Sequence, residues 1–265
     1  MMIQEITIVS TVNEIAENTY QAKLIAPKIA SVCKPGQFIN ILPSETWKSV
    51  MRRPMSIAGQ NGDEIQIIFK VVGKGTQIMS RWKSNDKVDI IGPLGNFWSG
   101  LEDKLPILLG GGVGIAPILY LHNFLNENSI SHYLVMGAKT KCEHFICHNP
   151  EDRVLLTTDD GSIGIHGTVI DGLKNILYQP KDIAEMKIFA CGPPMMNKFV
   201  KRFAIENDIE CYIALETLMA CGFGNCQGCA VERNVDNKTD HSYRQKYALV
   251  CKDGPIFNAK DIVKC

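Results

Sequence analysis

The sequence predicts an α/β plus all-β protein: an N-terminal antiparallel β-barrel, a parallel doubly wound α/β nucleotide domain, and a small C-terminal cysteine module. Three observations carry this. Up to about residue 100, short apolar or alternating runs recur between Pro, Gly, Asn and Asp. After Gly92-Pro93, strand-like runs alternate with helical ones. From about residue 216 periodicity fades while cysteines crowd together, so a ligand rather than a core is expected to organise the chain. The expected units are 1–100, 101–215 and 216–265.

In the first unit, Gln4–Val9, Thr19–Ile25, Gln37–Ile41, Glu64–Val71 and Lys87–Ile91 read as strands whose regular spacing suits a small barrel. Arg52-Arg53-Pro54-Met55-Ser56 stands at a strand entrance. The planar fork of Arg53 can pair with a phosphate, Pro54 fixes the backbone, and Ser56 offers a hydroxyl to a heteroaromatic ring. A plain basic pair before a strand is the other reading. Downstream, IIFKVVGKGTQIMSRW gives a strand, then Gly73, Gly75 and Thr76 before a helix. Thr76 is expected as its N-cap, and the helix start as an anion site. Two phosphate-capable elements in one barrel suggest a nucleotide there.

The second unit reads as strands at Ile107–Leu109, Tyr133–Met136, Val154–Thr157, Ile188–Ala190 and Tyr212–Leu215. Ile118, Leu121 and Leu125 share one helical face, as do Met195, Phe199 and Phe203. LLGGGVGIAPILYL is a strand, a glycine loop and a helix start, with Pro117 in the first turn. Gly110, Gly111, Gly112 and Gly114 can bring backbone N–H groups to a pyrophosphate, an interaction worth roughly 0.3–2 kcal/mol and so of little selectivity. A tight packing turn is the alternative. In TTDDGSIGIHG, Asp159 or Asp160 can accept from a ribose hydroxyl or cap the next turn. No arginine cluster awaits a 2′-phosphate, which leans toward NADH.

The third unit opens with MACGFGNCQGCAVE. Its spacing, Cys221-x4-Cys226-x2-Cys229 with Cys251 after 21 further residues, is the plant-type [2Fe–2S] arrangement. Gly222, Gly224 and Gly228 let the backbone curl around a cluster, with N–H groups turned to the sulfurs. A structural zinc or four unrelated thiols are the alternatives, although zinc sites more often pair two short hairpins. Cys33, Cys142, Cys147, Cys211 and Cys265 lack such spacing and are expected to be ordinary thiols.

Composition narrows the function classes. The 28 basic and 28 acidic residues cancel, so no global field draws nucleic acid or anionic membrane. The run Lys139 to Glu143 reads as a solvated loop. LPILLGGGVGIAPILYL, with four glycines and two prolines, falls short of the ~20 apolar residues of a membrane span. MMIQEITIVS lacks the apolar region of a secretory signal, so the ten cysteines are expected in a reducing cytoplasm.

The order of motifs is what identifies a likeness: barrel with RPMS, then GGGVGIAP, then Cys191-Gly192-Pro193-Pro194-Met195, then the four cysteines with CKDGPIF from Cys251. It resembles, over essentially the whole chain, the electron-transfer subunit of B-type dihydroorotate dehydrogenase, within the ferredoxin reductase superfamily. The resemblance implies FAD held by Arg53, Pro54, Met55, Ser56, Ile68, Phe69, Lys70, Gly75 and Thr76. It implies a [2Fe–2S] cluster on Cys221, Cys226, Cys229 and Cys251, and NAD(H) at the glycine loop and the CGPPM segment, with Cys191 near hydride transfer or simply packed. It further implies an FMN-containing catalytic subunit as partner, in a heterotetramer, with orotate chemistry on that partner. Met55 stands where broader reductases place an aromatic residue, so no ring-on-ring contact is expected there. Two other readings stay open: a reductase subunit serving ferredoxin, a hydrogenase or another acceptor, and a zinc-stapled nucleotide-binding regulator.

Overall fold

The computed structural model describes residues 2–46, 48, 51–177, 185–234 and 242–263; Cys265 lies outside them. Six strands form the first unit: β1 (Ile3–Ala16), β2 (Thr19–Ile25), β3 (Phe38–Leu42), β4 (Arg53–Asn61), β5 (Glu64–Lys70) and β6 (Lys87–Leu94). They close into a barrel in the order β1-β2-β5-β4-β3-β6, every pairing antiparallel. Closure leaves no strand edge unpaired. Alternation sends Ile65, Ile67 and Phe69 of β5 into the barrel core with Ile39, Ile41 and Ile57.

Strand β1 inverts the usual pattern, burying Glu5 and Thr7 while Ile6 and Ile8 face outward. The buried polar groups are satisfied. Both Glu5 carboxylate oxygens accept, from the backbone N–H of Lys28 and of Ile29 at the start of helix α1 (Pro27–Ala30), and Thr7 donates to the Val88 carbonyl. Helix α2 (Lys74–Met79) corrects one expectation. Its N-cap is Gly73, and Thr76 sits three residues in, where its hydroxyl accepts from the backbone N–H of Val72 and Gly73. A capping side chain can reach back from that position as well as forward from the cap.

The second unit is a seven-stranded sheet, β10-β9-β8-β7-β11-β12-β15. Its members are β7 (Leu105–Gly111), β8 (Tyr133–Ala138), β9 (Val154–Thr158), β10 (Ile165–His166), β11 (Met186–Cys191) and β12 (Glu210–Ala214), all parallel. The cysteine-rich segment supplies the hairpin β13 (Ala230–Glu232) with β14 (Tyr247–Leu249), and then β15 (Ile256–Asn258), which runs antiparallel beside β12. Helices α3 (Ile115–Glu127), α4 (Val169–Leu177) and α5 (Pro194–Glu206) accompany the sheet, with a short α6 (Tyr243–Lys246) beside β14.

Helix α3 buries Ile118, Leu121 and Leu125 as its periodicity predicts. Helix α5 does not follow its pattern: Met195 and Phe199 are 58% and 50% exposed, and the buried face carries Asn197, Val200 and Ala204. Asn197 explains the rotation, because its amide donates to the Gly192 carbonyl at 3.0 Å and to that of Ala214 at 3.4 Å. One polar side chain pins α5 to the ends of two strands, and Met195 and Phe199 are turned outward while Phe203 stays packed against the core.

Candidate functional site

Strand order reverses between β7 and β11, and in an open parallel sheet such a switch point opens a crevice at the carboxyl ends of the strands. The glycine loop lies there, and its four glycines have different jobs. A Cβ on Gly114 would come within 2.6 Å of both the Cys191 carbonyl oxygen and the Gly192 Cα, so this glycine permits close backbone packing. Gly110 is likewise confined by the Ile115 side chain and Gly111 by Met196 and Pro193. Gly112 differs: it has φ +52 and nothing within 4 Å of where a side chain would begin. Three of the four glycines are thus demanded by packing, while Gly112 faces open space.

Beside this loop a cleft of about 260 Å³ separates barrel from sheet. Seven of the residues expected to hold FAD line it: Pro54, Met55, Ser56, Ile68, Phe69, Lys70 and Thr76. The reason is register. Pro54, Met55 and Ser56 pair with Asn40, Ile39 and Phe38, while β5 alternates, so Phe69 points into the barrel against Tyr20 and Ile68 and Lys70 point outward. Gly75 and Arg53 are not on the cleft wall but touch each other; a Cβ on Gly75 would meet Arg53 Nε at 3.1 Å. The two neighbouring arginines divide their roles. Arg52 is locked to Asp89 at 2.7 Å and donates to the Asp89 carbonyl, whereas Arg53 donates to the carbonyls of Met51 and Arg52.

The far wall was not legible from motifs. It is made by Val113 and Ala116 after the glycine loop, by Leu215, Glu216 and Thr217 beyond β12, and by Met219 and Pro255 of the cysteine segment. Glu216 is the one acidic residue on this wall; the residue keeps solvent-exposed surface, yet desolvation raises its pKa. Cys191 is 2% exposed at the end of β11, and burial with the nearby Glu216 charge pushes its thiol well up. It packs among Ile115, Ala214 and Ile256.

The four cysteines come together as two pairs. The Cys221 sulfur accepts from the Cys226 backbone N–H at 3.4 Å and from its thiol, and the sulfurs of Cys229 and Cys251 stand 3.2 Å apart. Positive φ at Gly222 (80°), Gly224 (90°) and Gln227 (58°) folds the loop so that N–H groups face inward. Burial raises the Cys221 pKa, but backbone N–H groups of Cys226, Phe223 and Asn225 outweigh it and draw the thiol down to about 6. Burial and the Cys229 contact push Cys251 up to about 12. Among the described residues no three His, Cys, Asp or Glu side chains gather around one point closely enough for a single metal ion. Two thiol pairs side by side fit a two-iron cluster, which takes two cysteines per iron, better than one tetrahedral zinc.

Asn40, on β3, escaped the sequence reading. Its buried amide donates to the Cys221 carbonyl at 3.0 Å, and Gly222 lets the loop approach, since a Cβ there would fall 2.6 Å from Asn40 Nδ2. Only the isolated asparagine in an apolar strand could have signalled it. Of the two aspartates, Asp160 is committed to its own turn, accepting from the Ser162 N–H and hydroxyl, which lowers its pKa. A larger cavity, about 620 Å³, opens between α3 and the starts of β8 and β9, around His122 and His132. It holds none of the predicted residues and lies at the amino ends of the strands, away from the switch point.

No helix among the described residues is long and apolar enough to cross a membrane. The family model for the iron–sulfur cluster binding domain of dihydroorotate dehydrogenase B matches residues 216–263. The chain is 35% identical over 274 residues to the electron transfer subunit of dihydroorotate dehydrogenase B (NAD(+)) from Streptococcus mutans, covering 99% of each. It is 32% identical to the subunit of the same name from Fusobacterium nucleatum, again over 99% of each. Among solved structures, an NADH-dependent reduced ferredoxin-NADP oxidoreductase superposes with a TM-score of 0.81 at 28% identity, over 97% of this chain and 90% of that one. A ferredoxin reductase of carbazole 1,9a-dioxygenase shares the fold, with a TM-score of 0.67 at 19% identity over 78% of this chain and 67% of that one.

Proposed function

The chain belongs to the family of dihydroorotate dehydrogenase B electron transfer subunits, and from that membership we propose how its residues connect NAD(H) to the catalytic subunit. It is an oxidoreductase subunit of pyrimidine biosynthesis that works with FAD, a [2Fe–2S] cluster and NAD(H). When bound, FAD exchanges a hydride with NAD(H) and single electrons with the cluster. Arg53, Pro54, Met55 and Ser56 hold FAD together with Ile68, Phe69, Lys70, Gly75 and Thr76. Gly110, Gly111, Gly112 and Gly114 receive the dinucleotide, with Cys191 packed behind them. Cys221, Cys226, Cys229 and Cys251 bind the cluster. The units 1–100, 101–215 and 216–265 thus carry flavin, dinucleotide and cluster in turn. The partner is an FMN-containing catalytic subunit in a cytoplasmic heterotetramer, with no role for nucleic acid or membrane.

One observation carries this reading: a single cleft is walled by Ser56 of the barrel, Val113 beside the glycine loop, and Met219 and Pro255 of the cysteine segment. A cofactor seated there touches both neighbours between which electrons must pass. Shielding is part of the role, since Ile68, Phe69 and Ala116 keep that wall apolar and exclude water. A reductase serving ferredoxin or a hydrogenase is less well supported, because full-length relatives at 32–35% identity carry the dihydroorotate dehydrogenase name. The paired thiols count against the zinc-stapled regulator.

Anaerobic purification with the catalytic subunit tests the proposal. Flavin absorbance, iron and acid-labile sulfide should accompany NADH-dependent orotate reduction. Cys226→Ser should abolish transfer to the partner while largely sparing flavin reduction by NADH. A colourless protein with zinc and no flavin would overturn the reading.

A further inference from the structure

The run Lys139 to Glu143 follows β8, the second strand of the dinucleotide half, whose end lies on the ribose side in doubly wound folds. It is not the freely solvated loop its charges suggest. Glu143 uses both carboxylate oxygens: Oε1 accepts from Lys70 Nζ at 2.7 Å and Oε2 from the Lys139 backbone N–H at 3.1 Å. Lys70 ends β5 on the cleft wall, so one carboxylate joins the flavin-side strand to the dinucleotide-side loop. Two further contacts hold the same loop on the barrel: the Glu17 N–H donates to the Cys142 carbonyl at 3.1 Å, and Phe145 packs against Ala58 and Ile68.

The loop in turn fixes the turn after β9. Lys139 O accepts from the Asp160 N–H at 3.3 Å, the Lys141 N–H donates to Ser162 Oγ at 2.8 Å, and that hydroxyl donates to Asp160 at 2.6 Å. A continuous path of hydrogen bonds therefore runs from Lys70 through Glu143 to the turn bearing Asp159 and Asp160. The ion pair is partly exposed, with side chains 39% and 23% accessible, and pairs of that kind contribute little to overall stability. Its geometric reach between two units is the larger effect.

We propose that Glu143 is a positioning residue that ties the ribose end of the dinucleotide site to the flavin-bearing barrel, so that removing its charge weakens NAD(H) binding without emptying the flavin cleft. This rests on the assignment of FAD to the cleft and NAD(H) to the glycine loop. Glu143→Gln preserves shape and removes the charge; Glu143→Asp keeps the charge on a shorter stem.

The test uses the complex with its catalytic subunit, measuring FAD content by absorbance, NAD+ affinity by calorimetry, and the KM and kcat for NADH. Glu143→Gln should raise the NAD+ dissociation constant and the KM by about five-fold or more, with FAD content and kcat within about two-fold of the parent. Glu143→Asp should recover part of the loss. Added salt should weaken NAD+ binding more in the parent than in Glu143→Gln. Unchanged NAD+ affinity in a flavin-replete Glu143→Gln complex overturns the proposal, as does loss of FAD in parallel with NAD+ affinity. Failure of the parent complex to hold FAD or bind NAD+ instead overturns the cofactor assignment beneath it.

Discussion

Asn40 and Cys221, 181 positions apart, are joined by a 3.0 Å hydrogen bond from the Asn40 amide to the Cys221 carbonyl. The bond crosses from barrel strand β3 to the cysteine loop, and Asn40 is fully buried. Asn40→Leu, close in volume, removes the donor and leaves that carbonyl without it, a loss of about 1–3 kcal/mol. Iron and sulfide should dissociate faster under chelator challenge than in the parent, with FAD retained. Equal cluster lifetimes would show that the loop holds itself.

Arg52 and Arg53 should separate by phenotype. Arg52 and Asp89 side chains are each 18% accessible and meet at 2.7 Å, so Arg52→Ala leaves the Asp89 carboxylate to the Gln4 amide and should cost roughly 1–3 kcal/mol in denaturant unfolding. Arg53→Ala should instead reduce FAD affinity at least ten-fold, with a smaller change in the stability of the flavin-free chain. Reversal of the two outcomes would exchange their assignments.

Gly112 and Gly114 make a second contrast. Gly114→Ala drives a Cβ into backbone at 2.6 Å on two sides and should lower the unfolding midpoint by several degrees. Gly112→Ala meets no neighbour but must hold φ +52, at about 1 kcal/mol. Its larger effect should be on NAD+ affinity, read by calorimetry.

The His122–His132 pair predicts an acid sensitivity. His122 Nδ1 and His132 Nε2 are 2.7 Å apart, and His132 Nδ1 faces the Ile130 carbonyl at 2.8 Å, so both rings are satisfied when neutral. Burial, then His132, pushes His122 down to about 4. A histidine depressed on folding binds fewer protons than in the unfolded chain below its usual value near 6.5, so stability is present above that pH and is lost as pH falls toward 4. After allowance for partial exposure the loss is on the order of 2 kcal/mol. Thermal midpoints measured from pH 7 to 4 should fall less steeply in His122→Gln. Parallel curves would assign acid lability elsewhere.

Much of the fold could be read from the chain because both periodicities were intact: barrel alternation in Glu64–Lys70 and a helical stripe in Ile118, Leu121 and Leu125. Where one polar side chain overrides the pattern, reading fails. Asn197 turns Met195 and Phe199 to solvent, and Thr76 caps from inside its helix. The three-residue β15 was too short to carry a period, and it belongs to a sheet whose other strands end some 40 residues earlier. In the site, glycines and cysteines marked themselves by spacing. Asn40, Glu143 and Glu216 act through contacts made only on folding, for which no local pattern exists.

The cysteine segment departs from the end of β12 and comes back to it, with the Leu215 N–H donating to the Pro255 carbonyl at 2.9 Å and Ala214 paired with Ile256. Its entrance and exit are stapled at one spot, and between them Ala248, Val250 and Cys251 enter the buried core of the sheet, so the stretch is anchored at its root and along its length. The electron outlet therefore shares its footing with the dinucleotide sheet, and a change at either end of the segment is felt at β12.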